Sequence, residues 1–199
     1  MPGRHSLLLL MLWLPASLQA QDWRLVREEQ GIRIWLRPVV GSSYQAFRGE
    51  TLMRTDLATL RALQEDVVAS CAWIHSCREQ RLLGYQGAQA WTYTRFDTPW
   101  PVQARDSVMQ ISSHLEPDGS LVRELLAVPQ RLPPDDDYQR ISAARGYWRM
   151  TPQPDGRVRV VYELHAEPGG RVPAWLAQSF VVDAPFNTLL NLRRAAERR

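Results

Sequence analysis

The 199-residue sequence contains no lysine, so its basic residues are all arginine. Without a lysine amine, mechanisms that form a Schiff base on the protein are excluded. The arginines are scattered rather than arranged in a stripe with interleaved aromatic residues, which argues against nucleic acid as a partner. They cluster only at the end of the chain, where Arg193, Arg194, Arg198 and Arg199 suit the negative end of a helix dipole and could make transient contact with a membrane surface.

Residue types that bind metals or carry catalysis are also sparse. His75, His114 and His165 show no metal-ligand spacing, and two cysteines do not complete a zinc site. The sequence has neither a glycine-rich phosphate loop nor a serine nucleophile motif. We therefore expect no metal, no cofactor and no enzymatic activity.

Residues 1–20 have the order of a secretory signal peptide. Arg4 and His5 precede an apolar run from Leu7 to Leu14, and mostly small or neutral residues follow as far as Ala20. The apolar run is too short to span a bilayer comfortably, and no other segment has the length and apolarity of a membrane span. We predict cleavage after Ala20 and a periplasmic or secreted protein; an uncleaved anchor is the alternative.

Residues 21–199 are expected to form one domain, because no linker, repeat or low-complexity block divides them. A chain of this size buries roughly 70% of the surface that its unfolded form exposes, so it can fold without a metal or a cysteine framework. We expect a monomer.

Cys71 and Cys77 are the only cysteines. In the oxidising compartment that the signal peptide implies, a pair of cysteines tends to close into a disulfide. Such a bridge would join the end of a helix to the start of a strand, and the chain-entropy model gives it about 2 kcal/mol. We predict the bridge; two free, buried thiols are the alternative.

Short segments of alternating apolar and polar residues dominate the middle of the chain and predict β-strands. Pro117-Asp118-Gly119 and Pro154-Asp155-Gly156 predict tight turns between two pairs of them, and such short connections require antiparallel neighbours. Asp56 is expected to cap a helix that begins at Leu57. The predicted strands cover residues 32–37, 44–54, 79–83, 90–97, 104–114, 121–127, 147–151 and 157–165.

A long helical pattern ends the chain. It follows Pro168-Gly169-Gly170, and Pro173 suits its first turn because the missing N–H has no intrahelical partner there. Pro185 lies inside the pattern and predicts a kink or a brief break. The apolar stripe of this helix contains Val172, Trp175, Leu176, Val182, Phe186, Leu189 and Leu190.

Three ordered motifs resemble the StAR-related lipid-transfer (START) domain family, with the secreted bacterial members as the best match. They are Trp100-Pro101-Val102 with Arg105-Asp106, then Gly146-Tyr147-Trp148, then Pro168-Gly169-Gly170-x-Val172-Pro173-x-Trp175-Leu176. The resemblance implies an α+β helix-grip fold, in which a curved antiparallel β-sheet wraps around a long C-terminal α-helix and leaves an internal cavity. It also implies a protein that binds a lipid or another hydrophobic small molecule without a covalent bond and carries it between membranes.

The expected ligand contacts come from the inner face of the sheet and from the apolar face of the final helix. Arg105 shares a strand face with Met109 and Ile111, so we expect its side chain to point inward. A buried arginine needs a partner, which could be Asp97, Glu124 or a ligand head group, and we favour a carboxylate. The full expected set is Arg105, Met109, Trp148, Met150, Tyr162, Trp175, Phe186 and Leu190.

Two other classes of function stay open at this point. The first is an enzyme similar to polyketide cyclases and dehydratases, in which an acid–base pair drawn from Tyr93, Tyr162 and Arg105 meets in the same chamber. The second is a non-catalytic interaction module whose core is filled.

Overall fold

The structure is a computed structural model that describes residues 22–198, so the predicted signal peptide lies outside the described residues. Residues 22–198 form ten β-strands and three α-helices, and none of these helices is long and apolar enough to cross a membrane. The strands are β1 (Arg24–Glu29), β2 (Ile32–Arg37), β3 (Ala46–Met53), β4 (Cys77–Gln86), β5 (Gln89–Phe96), β6 (Arg105–Leu115), β7 (Leu121–Ala127), β8 (Gln139–Arg140), β9 (Ala143–Pro152) and β10 (Val158–Glu167), and the helices are α1 (Leu57–Glu65), α2 (Ala174–Val181) and α3 (Asp183–Ala196).

Nine strands form an antiparallel sheet in the order β1-β2-β3-β10-β9-β7-β6-β5-β4, and the two-residue β8 adds to β6 in the parallel sense. The turn at residues 117–119 joins β6 to β7, and the turn at residues 154–156 joins β9 to β10. Both predicted turns are therefore confirmed. The chain starts at one edge of the sheet and crosses to the other edge at β4, so β3 and β10 become central neighbours although they are far apart in sequence.

Each predicted strand is present, but two strands were missed. β1 has the sequence RLVREE and lies at an edge of the sheet, so only its middle is partly covered and its pattern carries too few apolar residues to be detected. β8 is too short to show any alternation. The predicted strand 147–151 also begins earlier, at Ala143, in a stretch of alanine and glycine that has a low strand propensity.

Helix α3 packs against β2 and β3, and Gly49 allows the close approach. A Cβ atom at Gly49 would lie 2.5 Å from the Cδ1 atom of Leu189 and 3.1 Å from the Cδ1 atom of Ile34. Ile34 and Leu189 are both fully buried, so this contact lies at the centre of the interface between α3 and the sheet. The core around it also contains Ile32, Met53, Leu60, Met150, Val160 and Leu192.

The final helical segment is two helices. Pro173 caps α2, which begins at Ala174, and Val182 separates α2 from α3. Pro185 lies in the first turn of α3, where it cannot donate a backbone hydrogen bond to Val181, and its ring would clash with that carbonyl in a continuous helix. The predicted break is therefore confirmed. It lies at Val182, three residues before Pro185, because Pro185 cannot form the helical hydrogen bond to Val181.

Cys71 and Cys77 form a disulfide with their Cα atoms 5.1 Å apart. The bridge joins the short 3₁₀ helix Ala69–Ala72 to the first residue of β4, as the sequence predicted. The loop that it closes carries Trp73 and Ile74 toward the interior of the protein, so the bridge fixes part of the wall of the site.

Candidate ligand-binding cavity

An outer compartment of about 470 Å³ lies beneath helix α2. Most of its wall is apolar, with Phe47 from β3, Tyr162 and Leu164 from β10, and Trp175 and Phe180 from α2. Its volume falls within the range of about 300–1,000 Å³ that is usual for small-ligand pockets.

An inner compartment of about 170 Å³ adjoins the outer one. It lies between α1, the loop closed by the disulfide and the inner face of β5, β6, β7 and β9. Phe96, Tyr162 and Thr188 line both compartments, so a ligand in one would touch the boundary of the other. The two compartments argue against the alternative of an interaction module whose core is filled.

Five of the eight predicted contact residues line this space. Arg105 and Trp175 line the outer compartment, Met109 and Trp148 line the inner one, and Tyr162 lines both. Trp175 is 56% exposed, so only part of its ring faces the cavity.

Met150, Phe186 and Leu190 line neither compartment, and their predicted place in the cavity wall is wrong. All three are buried in the packed core. The prediction expected a kink at Pro185 but still assigned residues 175–190 to one apolar face. Because the helix breaks at Val182, α2 covers the cavity, while α3 packs mainly on the sheet and lines the outer compartment only with Asp183, Ala184, Pro185 and Thr188.

Stacked aromatic rings form the wall between the compartments and the core. The rings of Trp148 and Tyr162 are parallel within 6°, with their centroids 3.9 Å apart. Phe47 and Trp73 pack edge-on against this pair. Burial raises the pKa of Tyr162 well above its ordinary value of 10.0, so its hydroxyl stays protonated and offers a hydrogen bond at the cavity wall.

The guanidinium of Arg105 is buried, and no carboxylate of residues 22–198 forms an ion pair with it. The residue is 3% exposed, and it donates hydrogen bonds to the backbone oxygens of Gln103 at 2.5 Å and Gly169 at 3.4 Å. Its Nε atom has no partner among the described residues. Burial lowers its pKa from the ordinary value of 12.5, which reflects the cost of keeping this charge out of water.

The predicted carboxylate partners of Arg105 pair elsewhere or face away from it. Asp97 lies 3.7 Å from Arg78, and Glu124 is exposed on the outer face of the sheet. The expectation that Arg105 pairs with a carboxylate is therefore wrong. An alternating strand fixes the side on which a residue points, but it does not say which distant segment lies opposite.

The glycine motif before α2 supplies one of the oxygens that Arg105 contacts. Gly169 has φ of 70°, and a Cβ atom there would lie 2.6 Å from the backbone oxygen of Arg140. Only glycine fits this close approach and this backbone conformation. The motif thus lies against β8 and directs the chain over Arg105 into the helix that covers the cavity.

Of the three residues that the enzymatic alternative considered, only Arg105 and Tyr162 line the same compartment. Tyr93 alternates with the inward-facing Thr92 and Thr94 and points to the opposite face of the sheet. There its hydroxyl accepts a hydrogen bond from Arg95 at 3.1 Å. Within residues 22–198, no group of His, Cys, Asp or Glu side chains is arranged to hold a metal ion.

The loop at residues 133–137 also lies on this opposite face of the sheet. Asp135 pairs with Arg95 at 2.9 Å. Arg140, which forms two hydrogen bonds to Asp106, also donates to the backbone oxygen of Pro133. The loop is therefore tied to the outer side of β5 and β6 and does not cover the cavity.

Polar residues of the inner compartment were missed at the sequence level. They include Gln64 from α1, Thr92 from β5, Arg123 from β7 and Thr188 from α3, all of which are buried. The alternation of Thr92 and Thr94 with Tyr93 was visible in the sequence. It did not show which face was inward, because both faces of β5 are covered.

A surface groove of about 550 Å³ continues from the outer compartment to solvent. Tyr44 and Arg105 line both spaces, so Arg105 stands where the cavity meets the surface. Trp100 lies beside this groove between two wall residues, Pro99 and Pro101, and is 91% exposed. We call this groove, together with Trp100 and Trp175, the cavity mouth.

An antiparallel sheet that grips a long C-terminal helix and encloses an elongated apolar cavity defines the helix-grip class of proteins. Residues 11–196 match the START domain, and the chain belongs to this family. An uncharacterised protein of Pseudomonas aeruginosa is 47% identical over 180 residues, which cover 90% of this chain and 89% of that protein.

Solved structures agree with this assignment. The crystal structure of a STAR-related lipid transfer protein from Xanthomonas axonopodis superposes with a TM-score of 0.82 and 34% identity, over 89% of this chain and 99% of that chain. Human StAR-related lipid transfer protein 5 superposes with a TM-score of 0.78 and 19% identity, over 88% of this chain and 86% of that chain. The similarity to the human protein, at 19% identity, shows a shared fold alone.

Proposed function

We propose that the protein binds a lipid without a covalent bond in the two adjoining compartments and transfers it between membranes. The observation that carries this proposal is the outer compartment itself, an apolar space of about 470 Å³ whose wall contains one buried arginine without a carboxylate partner. The name of the Xanthomonas relative, a lipid transfer protein, supports the same function.

Apolar contact would supply most of the binding free energy. Each fully buried aliphatic group of leucine size contributes roughly 1.5–3 kcal/mol, and the stacked rings of Trp148 and Tyr162 offer a flat wall to an acyl or polycyclic body. Shape alone would allow the ligand to enter in either direction, so the polar groups of the wall would set its direction.

Arg105 would hold the acidic head group of the lipid. Its Nε atom is free of partners within the described chain, and a guanidinium binds carboxylate or phosphate oxygens with paired, directional hydrogen bonds. The acidic residues of the outer wall do not compete with the head group for Arg105. Asp97 lies beside Arg78, and Asp183 accepts a hydrogen bond from Arg27 at 3.1 Å.

The cavity mouth would be the part of the surface that touches the membrane. Trp100 and Trp175 are 91% and 56% exposed, and tryptophan is enriched where proteins meet the membrane–water interface. With these rings at the interface, a lipid could pass between membrane and cavity when α2 moves away from the sheet. The break at Val182 is the place where α2 can move without displacing α3.

The protein would act outside the cytoplasm, in the periplasm or after secretion. The signal-like order of residues 1–20 and the disulfide between Cys71 and Cys77 both support this location. The amino terminus of protein from its native host would then lie near Gln21.

Native mass spectrometry of gently purified protein tests ligand binding. We expect a co-purified lipid whose mass is seen in the native spectrum and which is released on denaturation. Protein that is empty after gentle purification and takes up no lipid from vesicles would contradict the proposal.

A vesicle assay tests the mouth separately from the cavity. The variant with both Trp100→Ala and Trp175→Ala should bind vesicles and transfer lipid more slowly, while a pre-loaded lipid stays bound in the absence of vesicles. The matched control is Trp35→Ala, which removes a tryptophan that lines neither the cavity nor the mouth. Equal transfer rates for the three proteins would show that the mouth is not the membrane contact.

A further inference from the structure

The floor of the inner compartment continues to an exposed edge of the sheet. Leu82, Thr92 and Met109 lie opposite one another on β4, β5 and β6, and residues opposite each other share a face of the sheet. Thr92 and Met109 line the compartment, whereas Leu82 is 39% exposed. In the next row on this face, Ile111 lines the compartment and Tyr85, two strands away, is 64% exposed. Both rows therefore lead from the compartment to solvent at β4.

The segment after α1 reaches the surface beside the same strand. Val67 lines the inner compartment, and the next residue, Val68, is 72% exposed. The 3₁₀ helix Ala69–Ala72 follows directly, and it is joined to β4 by a hydrogen bond between Ser70 and Gln80. Beyond Gln80, β4 continues to Gln86 and carries two exposed apolar side chains on the inner face. We define the rear rim as Val67, Val68, Leu82 and Tyr85.

The wall between the inner compartment and solvent is thin near the rear rim. Arg123 is buried and lines the compartment, but its Nη1 atom lies 3.6 Å from the carboxylate of Glu65, whose side chain is exposed. The same guanidinium donates a hydrogen bond to the backbone oxygen of Gln64 at 3.2 Å. One side chain therefore extends from the compartment to the surface, and a rotation of this side chain would widen the passage.

The rear rim and Arg105 lie at opposite ends of the cavity. Arg105 and Ile111 are both on β6, and six strand residues span about 20 Å. A lipid whose acidic group is held at Arg105 would therefore direct the other end of its chain toward the rear rim. The apolar side chains of the rim match a hydrocarbon end, and they continue the lining that the rest of the chain would contact.

A second protein is a poorer fit to the rear rim. Stable protein interfaces bury about 800 Å² on each partner, with roughly 20–30 residues a side. The rim has four residues, and the segment around it includes the charged Glu65 and Arg81, both with exposed side chains. The rim thus has the size of a passage for one chain rather than of an interface.

We propose that the inner compartment opens at the rear rim and that the hydrocarbon end of a long-chain lipid leaves the cavity there. The cavity then selects its ligand by the acidic group at Arg105 and accepts chains that are longer than the two compartments. This inference rests on the proposed function, because it assigns a chain-length class to the ligand of the same cavity.

The first test measures how binding depends on chain length. Delipidated protein is offered an equimolar mixture of dodecanoate, hexadecanoate and icosanoate below their micelle concentrations, and native mass spectrometry measures the bound share of each. A methylene group that leaves water fully tightens binding about fourfold, and one at an open rim by less. We expect icosanoate to be bound at least about threefold more than hexadecanoate. In a closed compartment the longer chain would not fit, and its share would fall below that of hexadecanoate.

Two variants connect the preference for a long chain to the rear rim. Leu82→Glu and Tyr85→Glu place a carboxylate where the chain would emerge, and contact with hydrocarbon would remove water from this charge. Each should reduce the ratio of bound icosanoate to hexadecanoate by at least about threefold and leave binding of dodecanoate unchanged. The matched control is Leu126→Glu, the same change at a strand leucine that is 44% exposed on the outer face of the sheet. It should keep the parent ratio.

The other outcomes overturn the inference in distinguishable ways. A smaller share of icosanoate than of hexadecanoate would show that the inner compartment is closed, while bound dodecanoate would leave the proposed function in place. A preference for icosanoate that survives both rim variants would mean that the chain leaves elsewhere, such as through the cavity mouth. A parent that is dimeric and becomes monomeric in both rim variants, with an unchanged ratio, would make the rim an interface between copies. Failure of all three acids to bind, in protein that also lacks a co-purified lipid, would overturn the proposed function as well.

Discussion

Arg105 and Asp106 are successive residues of β6, and their buried side chains lie on opposite faces of the sheet. Only Asp106 is paired with a side chain of opposite charge. Asp106 is fully buried and accepts two hydrogen bonds from Arg140, at 2.7 Å and 2.9 Å. Arg105 meets only backbone oxygens and leaves Nε without a partner. One charge is therefore compensated by an opposite charge within the fold, while the other meets only backbone oxygens.

We predict that Arg105→Ala will affect ligand binding more than stability. A hydrogen bond to a charged group contributes about 1.5–3 kcal/mol, so the affinity for an acidic lipid should fall by this amount. The melting temperature should change little, because the substitution leaves no buried carboxylate unpaired. Thermal denaturation together with native mass spectrometry measures both effects. A variant that melts far below the parent and still keeps its lipid would show that Arg105 serves only the fold.

Asp106→Asn should have the opposite profile. Removing one partner of a buried pair leaves the Arg140 charge uncompensated, which destabilises a protein by about 3–5 kcal/mol. Urea denaturation should show this loss, and the surviving folded protein should bind lipid with unchanged affinity. Adding Arg140→Met to Asp106→Asn should restore part of the stability. A loss below about 1 kcal/mol for Asp106→Asn would contradict this assignment.

The strands, the two tight turns and the break before Pro185 could be predicted because each depends on a local pattern. Residues 157–165 alternate regardless of what packs on them, and a proline prevents the same backbone hydrogen bond in any fold. The disulfide was predictable for a related reason, since only two cysteines exist and they are close in sequence. β1 was missed because an edge strand needs little apolar surface to be stable.

The partners of the site residues could not be predicted, because they depend on which distant segments meet. Arg105 contacts the backbone of Gly169, and no side-chain pattern identifies a carbonyl as the acceptor. Phe186 was placed in the cavity wall because it shares a helical stripe with Trp175. The break at Val182 gives the two residues different surroundings, and the ring of Phe186 lies instead under Arg27, whose guanidinium is 3.5 Å from the ring centroid.

Gly49→Ala should disturb the packing of α3 on the sheet and lower the free energy of unfolding. The new Cβ atom would lie 2.5 Å from Leu189, which is fully buried and cannot move into solvent. Overpacking of a filled core destabilises by about 1–3 kcal/mol, and urea denaturation should show a loss in this range. Gly49→Ala and Leu189→Ala should be less destabilising together than the sum of the single changes, because the second removes the clash. Strict additivity would mean that Gly49 is not what allows α3 to approach.

Replacing both cysteines by serine should reduce stability by about 2 kcal/mol, as expected for closure of so short a loop. The loop carries Trp73 and Ile74 into the cavity wall, so lipid binding should weaken at the same time. Thiol labelling of denatured, unreduced parent protein should find no free cysteine. Two labelled thiols in protein from its native host, or a serine variant as stable as the parent, would contradict a structural role for the bridge.

His75 should make the fold sensitive to mild acid. Its ring lies in the wall of the outer compartment, where burial lowers its pKa from the ordinary value of 6.5 and the nearby carboxylate of Asp183 offsets only part of this effect. Well above pH 6.5 the ring is neutral in both the folded and the unfolded protein, and it makes no pH-dependent contribution. As the pH falls below that value, the unfolded chain takes up a proton before the folded one does, so the free energy of unfolding decreases.

His75→Gln removes this group while it keeps a polar side chain at the same place. Urea denaturation of parent and variant at pH values from about 7 to about 5 measures the difference, and the parent should lose more stability over this interval than the variant. The loss in the parent should level off once the pH lies below the pKa of the folded state, since both states then carry the proton. If the two proteins lose stability in parallel, the acid sensitivity of the fold arises from groups other than His75.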